Sequence, residues 1–330
     1  MNNQLAKKIS ESLWLYIGVG WLIGTYYFFQ TPHNLALLIY EGNQGAAYWY
    51  RGFLETIFKP QNIYVAESLL WPLVAKLLNA SSTLVGYQTL NAFATLVMMP
   101  IICIAFKKRV ASTFGVFVGI AVWATTYSYL RYYDLGFPDP VTIILLTLVV
   151  TQTQKEGILV FAFLAALSHF SCASLAILGF LILSVAAKDK ISNGWWNEVY
   201  ALLGLALGKL FLMAWGYIFK YKLNSRIDIV FEKGINFFID RYHQDPLGFW
   251  YTPGKFFLVM NLVVFTYFAI NRKFKVCSAQ LIVLALAYFS LFITVDGLRV
   301  FAVVIAPGYL YLIVLFLNDI FYKNNSQQKL

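Results

Sequence analysis

Apolar positions along this chain come in long blocks rather than in short periods. Runs of about 17 to 25 apolar residues recur between Leu13 and Asn318, the length that a helix needs to cross about 30 Å of hydrocarbon. None shows the every-second-residue alternation of a membrane β-barrel strand. The pattern predicts an all-α, polytopic integral membrane protein with about ten transmembrane helices, because backbone polar groups in lipid must be satisfied within each segment. The first three spans are expected at 13–29, 84–106 and 110–130, followed by a short apolar run over 141–151 and a long one over 157–187. A further span covers 199–219, and three more reach Arg272, Asp296 to Arg299, and Lys323. The long run has Lys155 before it and Lys188 after it, and Ser168-His169-Phe170-Ser171 interrupts it, so it is divided into two short helices turning near His169.

Two stretches fit neither a span nor coil. Residues 31–67 are rich in Tyr, Trp and Phe, which rest at headgroup level, and 220–255 mix Lys220, Arg226 and Arg241 with Asp228, Glu232 and Asp240. Both are expected to be large outer, periplasmic amphipathic segments. A proline-containing approach helix, Leu69 to Leu78, leads from the first of them to the second span.

Composition agrees with the pattern. The chain is 60% hydrophobic and 12% charged, against about a quarter charged in soluble domains, and its mean hydropathy is +0.67. No polar linker divides it, which predicts one transmembrane domain over 1–330. The net charge of +10 does not point to nucleic acid, since no such motif is present and the basic residues sit mostly in short turns. Lys7-Lys8, Lys107-Lys108-Arg109 and Lys188 predict a multi-pass protein of the inner (plasma) membrane with both termini cytoplasmic, although the basic 220–255 segment breaks the rule. Cys103, Cys172 and Cys277 are isolated and read as small core residues. No internal repeat is apparent, whereas transporters often show one.

The chemistry-bearing residues gather at the outer boundary of this topology. They are Glu41 with Arg51, Glu67, then Arg131 with Asp134 and Asp139, His169, and Asp296 with Arg299. Ionisable groups at that depth are costly unless paired or lining a wet cavity, so a shared outward-facing cleft is the economical reading. Helix-capping ion pairs are the bland alternative for each pair alone. Arginine suits phosphate oxygens, and Glu41 or Asp134 can take a proton from a hydroxyl. Asp134 and Asp139 also offer two carboxylates to a divalent cation, a weak motif, and no cofactor is required. His169 reads either as a hydrogen-bonded core residue or as a catalytic or phosphate-contacting histidine.

At these residues the chain resembles the GT-C superfamily of membrane glycosyltransferases, and is most similar to the EpsG/Wzy-type polysaccharide polymerases. The likeness lies in Glu41-Gly42-Asn43 to Arg51 with Glu67-Ser68-Leu69-Leu70-Trp71-Pro72, in Arg131 to Asp139 with Leu167 to Ser171, and in Asp296-Gly297-Leu298-Arg299-Val300-Phe301. It departs in having Glu rather than Asp in the first loop and in Phe137-Pro138-Asp139-Pro140. The resemblance implies transfer of a sugar or oligosaccharide from a polyprenyl-(pyro)phosphate carrier to a growing glycan on the outer leaflet, alongside other glycan-assembly proteins. Glu41 or Asp134 would be the base and His169 would sit near the donor. Arg131, Arg299 and Arg241 would hold phosphate, with Arg51, Glu67, Asp139 and Asp296 completing the substrate site. A transporter or flippase of a lipid-linked or anionic substrate, and a noncatalytic assembly subunit, are the competing classes.

Overall fold

The computed structural model describes residues 11–30, 58, 66–127, 137–187, 196–220, 235–244, 255–292 and 297–327, with backbone alone at 235–238, 241, 255, 292, 297–299 and 322–327. Among the described residues there is no strand. The helices are α1 (Leu13–Phe29), α2 (Leu70–Leu77), α3 (Leu84–Arg109), α4 (Thr113–Tyr127), α5 (Asp139–Thr151), α6 (Lys155–Ala186), α7 (Trp196–Ile218), α8 (Ile235–Gln244), α9 (Lys255–Ile270), α10 (Phe274–Phe292) and α11 (Gly297–Gln327). The expected apolar runs therefore fold as helices in their expected places, and the approach helix is α2. Most of the two expected outer segments lies outside the described residues.

Five of these helices, α3, α6, α7, α10 and α11, have the length and hydropathy for a crossing, α6 only when its whole run is counted end to end across His169. The others are shorter, so the described helices do not establish the expected ten or so crossings. α11 is the axis of the bundle. Nearly every residue from Val300 to Leu317 is buried, because α11 packs against α4, α5, α6 and α10. Tyr309 meets Trp123 of α4 and Phe257 of α9, and Tyr311 meets Phe180 of α6. α1 lies antiparallel along α3, with the Lys107 ammonium 5.5 Å from the Tyr16 ring centroid. A Cβ on Gly20 would sit 2.5 Å from the Pro100 Cα, so glycine is what lets these two backbones touch.

α6 is a hairpin. His169 has extended backbone angles (φ −163°, ψ 90°) inside an otherwise helical run, and the chain reverses there. The Lys155 ammonium stands 5.1 Å from the Trp196 ring, and Ser184 donates to Glu198 Oε1 at 2.8 Å, so both ends of α6 meet the start of α7. An unbroken helix would hold Lys155 and Ser184 about 44 Å apart. The expected division of this run at His169 is therefore what the fold contains. The first arm, 155–168, is too short to cross a bilayer alone, and the second, 170–186, only reaches the low end of the roughly 17–25 residues needed.

One end of the bundle is basic and tightly closed. Arg109, at the end of α3, donates to the carbonyls of Val150, Thr151 and Gln152 at 3.2, 3.1 and 2.9 Å. Its guanidinium thus satisfies the last turn of α5, whose carbonyls have no intrahelical partner. Asn318 accepts from the Ala111 amide and donates to the Arg109 carbonyl. Those two bonds shape the 110–112 turn and explain why α4 begins at Thr113 rather than at Val110. Replacing Arg109 with leucine is expected to cost about 2–3 kcal/mol, the range for charge-assisted bonds lost from a partly buried site. Thermal unfolding of the detergent-solubilised protein measures it.

Candidate functional site: a polar floor within the bundle

The reversal of α6 puts a polar surface inside the bundle. At about 1.5 Å per residue, the first arm lifts His169 about 21 Å above Lys155, α5 lifts Asp139 about 18 Å above Thr151, and α7 lifts Lys209 about 20 Å above Trp196. Three helices thus bring ionisable residues to one level. α3 and α7 continue past that level, reaching about 39 Å and 34 Å over their full lengths. The reversal therefore forms a floor below the far ends of its neighbours. Non-helical backbone at such depth is tolerated only where it is buried in protein or lines a wet cavity.

The floor is held by a hydrogen-bonded cluster. The Glu67 carbonyl accepts from the Phe170 amide at 3.1 Å, tying the chain ahead of α2 to the first residue of the second arm. The Glu67 carboxylate accepts from the Ser171 hydroxyl through Oε2, and Oε1 pairs with Lys209 Nζ at 3.4 Å. Lys209 Nζ also lies 4.3 Å from the Phe170 ring centroid. The Cys172 amide donates to His169 Nδ1 at 3.5 Å, which makes His169 the N-cap of the second arm. On the α5 side, Thr142 and Ser168 share a bond of 2.8 Å, and both hydroxyls reach the Pro138 carbonyl beside Asp139. Asp139 stands in the first turn of α5, where the helix dipole favours a carboxylate. Asp139, Ser168 and His169 are fully buried, and Glu67 is 4% exposed.

Two walls rise from this floor. Phe211 and Trp215 follow one another up α7, Phe219 stands just past its end, and Phe58 lies 5.9 Å from Trp215 and 4.9 Å from Phe219. This wall is aromatic. On α3, Thr95, Asn91 and Gln88 ascend at helical spacing, and the Trp71 indole donates to Asn91 Oδ1 at 2.7 Å. The oxygens Ser68 Oγ and Gln88 Oε1 are buried without a hydrogen-bond partner.

Of the residues expected to carry chemistry, Glu67, Asp139 and His169 converge here. Glu41, Arg51, Arg131, Asp134 and Asp296 lie outside the described residues, as do the side chains of Arg241 on α8 and Arg299 on α11. Among the described residues, no group of three His, Cys, Asp or Glu side chains stands together as a metal site. In the sequence, Lys209 falls inside the 199–219 span and carries no mark of belonging to the site on its own. Its signal was the preceding Gly204-x-x-x-Gly208 pair: a Cβ at Gly204 would lie 2.5 Å from the Leu159 carbonyl oxygen, and one at Gly208 would lie 2.4 Å from Ala166 Cβ. Glycines at that spacing mark a helix face in backbone contact, and Lys209 follows the second of them. Ser171 was legible only as part of the interruption at His169. Compared with family models, curated proteins and solved structures, the chain finds no match.

Proposed function

We propose that this protein is a membrane glycosyltransferase of GT-C type, resembling the polysaccharide polymerases, that uses a polyprenyl-(pyro)phosphate-linked donor at the outer leaflet of the plasma membrane. The observation that carries the reading is the polar floor at His169, where Glu67 and Lys209 are kept at membrane depth by a helix that turns back. Intramembrane ionisable residues mark substrate sites by default. In this reading the basic end, with Lys107, Lys108, Arg109 and Lys155, faces the cytoplasm, so the floor opens outward. The aromatic wall on α7 suits a prenyl chain descending from the bilayer, and Lys209 suits the phosphate at its end. The Trp71 ring suits a sugar face, and Gln88 Oε1, buried without a hydrogen-bond partner, suits a glycan hydroxyl.

The test is mass spectrometry of lipid-linked glycans in a deletion strain, with and without complementation. Accumulated single repeat units identify a polymerase, and a repeat lacking one sugar identifies a transferase. An unchanged lipid-linked pool and surface glycan overturn both. A second reading, transport of an anionic or lipid-linked substrate, is favoured by the α6 break itself, because interrupted helices line transporter sites. Uptake or flipping in proteoliposomes, with no change in glycan structure, would select it.

Gln88 offers a sharper test. An unsatisfied buried amide costs about 1–3 kcal/mol, so Gln88→Leu is expected to raise the melting temperature while lowering glycan output. A stabilised variant with full output would remove Gln88 from the site.

A further inference from the structure

We propose that the Glu67 carboxylate is an exchangeable occupant of an anion site, and that a substrate phosphate displaces it from Lys209 and Ser171. The inference deepens the glycan-transfer reading and rests on its premise that a phosphate-bearing molecule reaches the floor.

Four observations carry it. The Lys209 to Glu67 distance of 3.4 Å exceeds the 2.7–2.9 Å or so of a close charge-assisted bond, so the ammonium is loosely held. The Lys209 side chain retains 35% of its exposure while that of Glu67 retains 5%, which leaves the cation reachable and the carboxylate enclosed. Glu67 is docked to the second arm by its backbone carbonyl, so its side chain can swing away without undocking the chain. Next to it, Ser68 Oγ is fully buried with no hydrogen-bond partner, a donor that a phosphate oxygen would satisfy. The carboxylate thus occupies the place of a tetrahedral anion: against an ammonium, on a hydroxyl, and at the first turn of a helix whose dipole favours negative charge. A phosphate carries the same sign and more acceptor oxygens. The exchange keeps Lys209 neutralised throughout, and no bond other than hydrogen bonds is made or broken.

The experiment uses the full-length protein in lipid nanodiscs and reads equilibrium binding of three probes: a long-chain polyprenyl phosphate, the uncharged polyprenol, and inorganic phosphate. Glu67→Gln retains the backbone bond to Phe170 and an amide oxygen for Ser171, and it removes the competing charge. It is expected to bind the phosphate probe up to about fivefold tighter, the gain from releasing one partly exposed ion pair, with polyprenol binding unchanged. Lys209→Gln is expected to weaken the phosphate probe about tenfold, as loss of a charge-assisted contact does. Glu67→Asp keeps the charge but draws it back from Lys209, and is expected to fall between wild type and Glu67→Gln, which covers the case where the glutamine variant does not fold. A gain confined to the lipid probe assigns the phosphate to a membrane carrier. An equal gain with inorganic phosphate upholds the exchange and assigns it to a soluble anion. Folded Glu67→Gln and Glu67→Asp proteins that bind phosphate no tighter than wild type overturn the proposal and leave Glu67 a clasp. Binding is read without turnover, so this failure is distinct from failure of the glycan-transfer reading, which is decided by the lipid-linked pool of the deletion strain.

Discussion

On the proposed glycan-transfer reading, Lys209→Met is expected to abolish glycan output and to lower the melting temperature, and a second substitution is expected to separate the two losses. Removing the ammonium takes away the cation that stands 3.4 Å from the Glu67 carboxylate, a group only 4% exposed. Breaking a fully buried pair costs about 3–5 kcal/mol. Because Lys209 keeps 35% of its side-chain exposure, water screens part of this and about 2 kcal/mol is the better expectation. Adding Glu67→Gln in the same chain removes the carboxylate charge as well, and replacing an ion pair by neutral groups of similar volume is often neutral. The double variant is therefore expected to melt near wild type and still make no glycan, since no described cation remains at the floor. Recovery of output along with stability would show that Lys209 serves only to hold Glu67. Melting curves and lipid-linked glycan profiles from the same membranes decide the matter.

The second large effect lies one residue away. Gly208→Ala places a methyl group 2.4 Å from Ala166 Cβ and 3.2 Å from the Phe163 carbonyl oxygen; the first is a methyl carbon bonded directly to the helix backbone and the second is backbone itself, so neither can rotate aside. α7 must shift outward, at a cost of about 1–3 kcal/mol or more for overpacking. The shift carries Lys209 away from Glu67, so activity is expected to fall further than stability alone explains. Gly18→Ala is the control, because a Cβ there meets nothing within 4 Å, and helix propensity then favours alanine. A Gly208→Ala protein as stable and active as Gly18→Ala would mean that the α6 to α7 contact does not position the site.

The block pattern made the helices legible, since each long apolar run carries its own backbone solution. The α6 hairpin was legible for a local reason: lysines at both ends of one run and a Ser-His-Phe-Ser interruption cannot be reconciled with a single crossing. The partnership at the floor was not. Glu67 and Lys209 are 142 positions apart, and each has an ordinary local reading, as a loop acid and as a lysine in a span. The 110–112 turn was hidden in the same way, because Val110 continues an apolar run and Asn318, which shapes the turn, lies 207 positions from Ala111. Pairings of that reach are decided by which helices lie side by side, and local composition does not encode this.

The guanidinium of Arg109 on the end of α5 also constrains how the chain enters the membrane during synthesis. α5 spans Asp139–Thr151, about 20 Å of helix, and with bare carbonyls at its end it is a poor candidate for insertion alone. Arg109 is made first, and α3, at 26 residues, is long enough to be seated by itself. α5 therefore has a template waiting, and the first arm of α6 follows immediately as its antiparallel partner. Insertion in this region is expected to proceed by hairpins docking on a prior helix rather than by one segment at a time. In a nascent chain truncated after Thr151, a cysteine introduced in α5 should still react with a membrane-impermeant thiol reagent, while in one extended through Ala186 it should be protected.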